Sequence, residues 1–569
     1  MQNIEVAWIF VELADLLELK GEDFFKIRAY RRAARAIANL DTPLEELKQR
    51  GLVGKIPGIG KAIEAKIKEI IETGKLSKHQ ELLREIPPGV LEIKKLPGIG
   101  PNRARILHRE LGVTGLDELA QAAKERRVRV LKGFSAKMEW EILNGIGMMR
   151  NRHDRVLLSV ARELAEELTE FIKILPGVRQ VAVAGSTRRW KETVGDLDLV
   201  IAAEEAEALL NALATHPRVK EIIDRQEKRL RVYTWWGLAV DFQVVPPGEF
   251  LYCLHRSTGS KGHYQRLQEI AEEQGLQLNH HGMGKQGEAP ILLNTEEEIY
   301  SSLGMNYVAP ELRENQREVE AALKGDLPQL IQVGDIRGDL HIHTTWSDSA
   351  MDLQEVVKRC REKGYSYAAI TDHSQSLKIA NGLDCHRLEQ QHRMIEEMNR
   401  EFDDFTLLTG VEMDILPNGD LDYPDEILEP MDVVIASVHT GFKQNRRDMT
   451  RRICRAMENE HVDMIAHMTG RLLGRRGPYE LDVEALLEMA AKTATVLEIN
   501  ASPDRLDLSD RHAKAAKEAG AKLCINTDAH DLRRLDEMVY GVAQARRAWL
   551  TPEDVINTLE IEKLREVLR

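Results

Sequence analysis

The sequence predicts a multidomain protein: all-α over residues 1–150, α/β from about 151, and a distorted seven-stranded (β/α) barrel from about 336. Three observations carry this. With 569 residues the chain holds several compact units at about 100 to 200 residues each. Apolar residues recur at helical spacing in 4–19, 24–38, 62–71 and 103–111, with few β-branched runs between them. Beyond residue 336, seven apolar runs alternate with helical segments, and six of them carry His, Asp or Glu near their ends.

Composition sets the outer limits. Hydrophobic residues at 43% and charged residues at 30% exclude a disordered chain, and no apolar run is long enough to cross a bilayer. The five cysteines are scattered and form no CxxC pair, so neither a disulfide framework nor a cysteine zinc site is expected. A cytoplasmic protein without a membrane partner, and a monomer, is the expectation. The net charge of −14 hides an asymmetry: residues 1–150 carry 27 Lys and Arg against 21 Asp and Glu. The helical region is therefore the basic one, as a polyanion partner requires.

Within it, IPGIGKAIEAKI (56–67) and LPGIGPNRARIL (96–107) are near copies, and LKGFSAKMEWEIL (131–143) is a decayed third. A Gly-Ile-Gly turn between helices brings backbone N–H groups close to a phosphate oxygen. Gly58 and Gly60, then Gly98 and Gly100, fit that turn, and Lys61, Lys66, Lys68, Arg103, Arg105 and Arg109 follow it. Glycine also ends helices for structural reasons, but two copies in register favour phosphate-backbone binding. The copies resemble helix-hairpin-helix motifs, which implies a grip on DNA on either side of a gap.

From 151 a helix is expected over 154–173 and strands at 181–184, 197–202, 229–235 and 239–245. In GDLDLVI, alternation along a strand puts Asp196 and Asp198 on one face, and Asp241 opens a second apolar run. Three carboxylates on adjacent strands suit hard divalent cations and phosphoryl displacement; solvated strand-end aspartates are the bland alternative. Upstream, VAVAGSTRRWKETVGDLD supplies a Gly-Ser turn and two arginines, where a triphosphate is expected.

That stretch resembles the nucleotidyltransferase palm of family X DNA polymerases, whose pattern is GS, a spacer, RRG, GD and a second Asp. The likeness extends over 1 to about 320, including STGSKGH (257–263). It implies that Gly185, Ser186, Arg189, Gly195, Thr258 and Gly259 bind an incoming deoxynucleoside triphosphate. Asp196, Asp198 and Asp241 would be catalytic, holding two Mg²⁺ or Mn²⁺ ions, and Lys66 matches the family's deoxyribose-phosphate lyase lysine. Trp190 stands where a Gly is usual, Arg256 and Ser257 where an aromatic pair precedes TGS, and Tyr264 where an Asn is common.

The seven runs of the last unit are GDLHIH, YAAITDH, TLLTGVEMDI, DVVIASVH, VDMIAH, ATVLEIN and AKLCINTDAH. Parallel strands alternating with helices describe a (β/α) barrel with its site at the C-terminal face. His341 and His343 share one strand face, as two ligands of one ion require, and Asp348, His373, Glu412, His439, His467, Asp528 and His530 complete a metal cluster. Asp372 is a candidate partner of those ligands. The set resembles the PHP (polymerase and histidinol phosphatase) domain over about 336–569. It implies up to three Zn²⁺, Mn²⁺ or Fe²⁺ ions: one on His341, His343, Glu412 and Asp528, a second on Glu412, His439 and His467, a third on Asp348, His373 and His530. Phosphoester hydrolysis follows from such a cluster. Arg446, Arg447, Arg451, Arg471, Arg475 and Arg476 are expected either to steer a polyanion or to be ordinary surface charges.

The expected division is an N-terminal helical domain (1–80), a helix-hairpin-helix subdomain (81–150), the palm (151–245), a small C-terminal polymerase subdomain (246–323), a linker (324–338) and the PHP domain (339–569). The order resembles bacterial family X DNA polymerases with a PHP extension. It implies gap filling on gapped or nicked double-stranded DNA, 3′-5′ exonuclease or 3′-end processing with cutting at abasic sites, and base excision repair. The alternatives are a nuclease whose polymerase core only holds DNA, and a barrel that is structural or a small-molecule phosphatase.

Overall fold

The computed structural model describes residues 3–38, 40, 44–56, 59–94, 96, 99–151, 155–285, 288 and 291–568. They form two compact units: Met1–Arg155 with Asn211–Asp224 and Arg231–Ala239, and Val156–Leu210 with Arg225–Leu230 and Val240–Arg569.

The first unit is mainly helical. Helices Asn3–Lys20, Phe24–Ala38 and Lys61–Thr73 bury Phe10, Leu13, Ile37, Ile63, Ile67 and Ile70 together, while Pro101–Leu111 packs Ala104 and Leu107 against Ile93, Leu119 and Ile142 in a second core. The two repeat helices start and stop alike. Gly60 and Gly100 precede them in extended conformation (φ −88° and −82°), and Gly74 and Gly112 end them at φ +72° and +68°. A positive φ is where glycine meets no Cβ penalty. The third copy differs: its helix begins at Ala136, after a Gly133 at φ +88°.

In the second unit, β1 (Val178–Val183) pairs antiparallel with β2 (Asp196–Ala203), and β3 (Ala239–Val245) lies on the far side of β2. Helix Leu158–Lys173 buries Leu164, Leu168 and Ile172. It starts later than expected because Val156–Leu157 pairs instead with Thr193–Val194. The segment after β3 has its own core of Tyr252, Tyr264, Leu267, Ile299, Tyr300 and Leu312.

The barrel strands are β4 (Gly338–Ile342), β5 (Tyr367–Ile370), β6 (Thr406–Asp414), β7 (Val433–Ser437), β8 (Met464–Ile465), β9 (Val496–Asn500) and β10 (Leu523–Asn526). All neighbours are parallel and in chain order, and a bridge between Ile342 and Ala529 brings the first strand to the last. Alternation fills the lumen. Leu408, Val433, Ile435, Val496 and Cys524 point in with Ile556, Leu564 and Leu568 of the C-terminal segment. Two and four residues further along the same inward face come Glu412, His439, Glu498 and Asp528. Opposite faces pack Val411, Val434, Leu497 and Ile525 on helix residues such as Ile453, Leu486 and Val542.

The expected linker is not a free tether. Ile331 is buried, its N–H donates to Leu550 O at 3.1 Å and its carbonyl accepts from Arg546 at 3.0 Å.

Candidate functional site: a metal centre in the barrel and a carboxylate cavity in the palm

Because the strands end side by side, the polar groups at their C-terminal ends converge. His341 Nε2 and His343 Nε2 face each other at 3.1 Å, and Asp528 Oδ1 lies 3.7 and 3.3 Å from them. Glu412, 1% exposed, reaches the others: Oε2 is 2.8 Å from His373 Nδ1 and 3.6 Å from both His341 and His343, while Oε1 is 3.0 Å from His467 and 3.3 Å from His439. Asp348 Oδ1 lies 3.6 Å from His373 and 3.3 Å from His530.

Ligand atoms close enough to share an ion form three groups: His341, His343, Asp528; His373, Glu412, His439; and His343, Asp348, His373, His530. The partition differs from the expected one in detail. His343 stands in two groups, and His373 reaches Glu412 as well as Asp348. Asp372 lies outside all three, its oxygens engaged by Thr344 N–H and Oγ1 (2.8 and 2.6 Å), Gln391 (2.6 Å) and the Ser347 hydroxyl.

Electrostatics separate the imidazoles. Burial drives His343 down, helped by His530 and His373, and brings His467 to about 4. Burial also opposes protonation of His439, but Glu412 and Asp414 outweigh it and lift the ring to about 10. Burial opposes the charge on Glu412 too, yet His439, His373 and His341 hold it well below the usual carboxylate range. Two candidate ligands, His467 and Asp528, have positive φ (+28° and +53°), a strained backbone of the kind that gathers at functional sites.

Residue type alone did not reveal the groups behind the ligands. Glu498 contacts His341 Nδ1 at 3.0 Å and Asp414 contacts His439 Nδ1 at 2.7 Å, which leaves each Nε2 turned to the cluster. Their signal was present: each sits on the inward parity of its run. The expected basic steering residues divide. Arg447, Arg446 and Arg451 are exposed, the last two paired with Asp482 and Asp448 at 2.9 Å, and Arg475 is exposed near Asp504. Arg471 is bound instead to Glu192 at 2.5 Å, and Arg476 stacks over Phe442 at 4.4 Å.

In the palm, Asp196 and Asp198 share the half-buried face of β2 while Leu197 and Leu199 point into the core. Asp198 and Asp241 line one cavity of about 450 Å³ with Arg229, Gln243, Arg256 and Ser257. Asp241 is held by Arg229, whose Nε lies 2.8 and 3.1 Å from its two oxygens. Gly185, at φ +59°, passes so close to Asp198 that a Cβ there would overlap the carboxylate, and Ser186 follows half-buried. Arg189 does not point freely into the cavity: it binds Glu314 at 3.0 Å and the Thr258 carbonyl. Gly195 directly precedes β2; Thr258, fully buried, accepts from Arg188 at 2.7 Å, and Gly259 (φ +65°) runs beside Arg189. Trp190 takes φ +54°, which explains why glycine suits its position. Tyr264 is buried against His255.

In the first unit Gly60, Gly100 and Lys61 are exposed at the two turns and Lys66 is half-buried on its helix. Gly58 and Gly98 lie outside the described residues.

Comparison with known proteins gives four family matches: a helix-hairpin-helix domain at 1–76, a SAM-like helix-hairpin-helix tandem at 90–146, a DNA polymerase beta thumb at 253–314 and a PHP domain at 339–502. The chain is 40% identical to the DNA polymerase/3′-5′ exonuclease PolX of Bacillus subtilis over the whole of both proteins. It is 26% identical to DNA polymerase lambda of Arabidopsis thaliana over 55% of this chain and 62% of that one. A "Probable phosphatase" of Thermoanaerobacter sp. is 29% identical over 41% of this chain and 94% of its own length.

Proposed function

Because the chain belongs to the family X DNA polymerases that carry a PHP domain, we propose that its two groups of acidic and imidazole ligands divide the family's two chemistries between them. The protein is a DNA repair polymerase with a PHP hydrolase barrel, it binds DNA, and it depends on divalent metal ions. In our reading the palm fills gaps in nicked or gapped duplex DNA from deoxynucleoside triphosphates, and the barrel removes 3′-terminal nucleotides or blocked 3′ ends and cuts at abasic sites. Among the described residues no helix is long and apolar enough to cross a membrane; we place the protein in the cytoplasm as a monomer. The domain limits that accompany this reading are those expected from the sequence.

The observation that carries it is the convergence of nine barrel side chains, with Glu412 in contact with five of the other eight. Their chemistry suits cations: His343 Nδ1, His373 Nδ1 and Glu412 Oε2 are buried without a hydrogen bond of good geometry, and two imidazole nitrogens face each other at 3.1 Å. His341, His343, Glu412 and Asp528, with His439 and His467, and with Asp348, His373 and His530, would hold Zn²⁺, Mn²⁺ or Fe²⁺. Asp196, Asp198 and Asp241 would hold two Mg²⁺ or Mn²⁺ ions. Bound there, such ions neutralise phosphate oxygens and lower the pKa of water. The chain's own part is positional. Glu498 and Asp414 orient His341 and His439, while Ser186 and the Gly185 backbone hold a triphosphate beside Asp198. Asp241 assists removal of the 3′-hydroxyl proton, and Gly58, Gly60, Lys61, Gly98 and Gly100 grip the DNA backbone. Lys66 is the candidate lyase nucleophile.

Asp196→Ala with Asp198→Ala is expected to abolish primer extension across a one-nucleotide gap and to spare 3′ degradation; His341→Ala with His343→Ala is expected to do the reverse. Both pairs leaving both activities intact would refute the division. One observation favours the nuclease-only reading: Asp241 is already paired with Arg229. The same gap assay on the unaltered protein decides it, since a palm serving only as platform gives no extension.

A further inference from the structure

The segment Gly185–Glu192, a one-turn helix (Gly185–Arg188) and the turn that leads to Thr193–Val194, is held from outside the palm. Helix Met538–Arg547 of the barrel lies against it. Tyr540 meets the Trp190 ring edge-on at 5.8 Å between centroids, and Arg162 covers that ring at 3.8 Å. Glu192 takes Gln544 at 2.7 Å and Arg471 at 2.5 Å. Arg547, only 1% of whose side chain is exposed, donates to the Arg189 carbonyl at 2.7 Å, to Asp510 at 2.6 Å and to Glu314 at 3.2 Å; Glu314 in turn binds Arg189 at 3.0 Å. One buried guanidinium thus fixes both the backbone and the carboxylate partner of Arg189. Trp190 fits the same picture: its positive φ is unfavourable for a large side chain, and its ring lies against the barrel helix.

We propose that Arg547, a residue of the nuclease barrel, is a positioning residue for nucleotidyl transfer in the palm, and that helix Met538–Arg547 keeps the triphosphate loop in its binding conformation. The consequence is one-directional. Among the described residues the hydrogen-bond partners of Arg547 are Arg189, Glu311, Glu314 and Asp510, none of them a metal-ligand candidate of the barrel, so loosening it changes nucleotide binding and not 3′ degradation. The planar fork of arginine serves four acceptors at once, the fourth being the Glu311 carbonyl at 3.4 Å, which a lysine ammonium cannot reproduce in the same geometry.

This inference rests on the reading of the Gly185–Glu192 loop as the triphosphate site, so the test separates the two. On the full chain, steady-state gap filling is measured against deoxynucleoside triphosphate concentration, with 3′ degradation of a recessed primer as the control for folding. Arg547→Met is expected to raise the nucleotide KM about tenfold, with kcat within threefold and 3′ degradation within twofold of the parent; Arg547→Lys should fall between. Unchanged KM in Arg547→Met overturns the inference. If Arg547→Met loses both activities, the decision passes to Tyr540→Ala combined with Gln544→Ala, two changes on the barrel helix that remove no charge. A KM raised at least fivefold supports the inference and an unmoved KM overturns it. Ser186→Ala tests the underlying reading. If it raises KM while the barrel-side variants do not, only the positioning role fails; if it too leaves KM unmoved, the loop is not the triphosphate site and both fall.

Discussion

At the scale of single residues, the barrel cluster is held by partners that are themselves buried. Burial moves Glu498 up to about 7 against the pull of His341, whose Nδ1 it contacts at 3.0 Å. A carboxylate in that place fixes which imidazole nitrogen faces the ions, and removing such a partner typically lowers metal affinity by about 10 to 100-fold. Glu498→Gln is therefore expected to make 3′ degradation about 10-fold or more sensitive to a chelator, with restoration by excess metal and unchanged gap filling. Equal chelator sensitivity in parent and variant would contradict the orienting role. The candidate ligands could be picked out in the sequence because so many His, Asp and Glu residues recur near the ends of successive apolar runs, where one alone would carry little weight. Glu498 and Asp414 were not, because a glutamate inside ATVLEIN or an aspartate in VEMDI reads as ordinary until inward parity is known. The pairing of Asp241 with Arg229 was hidden too, since it depends on which residues of neighbouring strands face each other.

At the scale of elements, the seven apolar runs became seven strands because each buries both faces, one in the lumen and one under helices. The helix starts at Lys61 and Pro101 followed from the repeated glycines. Less legible were the short Gly185–Arg188 helix, too brief for periodicity, and the 324–338 segment, whose polar composition masked the burial of Ile331. The polymerase subdomain after β3 shows a third kind of hidden feature. Glu296 is sandwiched by Arg313 (2.9 Å) and Arg188 (2.6 Å), 108 residues away along the chain. Burial opposes its charge, but Arg313 above all, then Arg188, hold the carboxyl well below its ordinary 4.5. A folded-state pKa below the unfolded one gives stability that is present above about pH 4.5 and is lost as pH falls towards the folded value. Glu296→Gln leaves two guanidinium groups without their buried partner and is expected to destabilise by about 3 to 5 kcal/mol at pH 7. Its thermal unfolding should also depend less steeply on pH between 6 and 3 than the parent's. Identical pH slopes by circular dichroism would remove Glu296 from the account.

At the scale of the whole molecule, the order of regions was readable because each carries a different periodicity: helical repeats, then strand carboxylates, then strand-end ligands. How the barrel touches the palm was not, because Tyr540, Gln544 and Arg547 look like an ordinary helix face until Trp190 and Glu192 are seen against it. The central claim is that the barrel side chains gathered around Glu412 hold the ions with which the protein degrades DNA ends. Elemental analysis of the purified full chain, read beside 3′ degradation, tests this most directly. The account predicts two to three tightly held transition-metal equivalents per chain, and loss of at least one together with 3′ degradation in His341→Ala with His343→Ala. A parent protein that retains no metal after exhaustive chelation yet still degrades 3′ ends at an undiminished rate would contradict it.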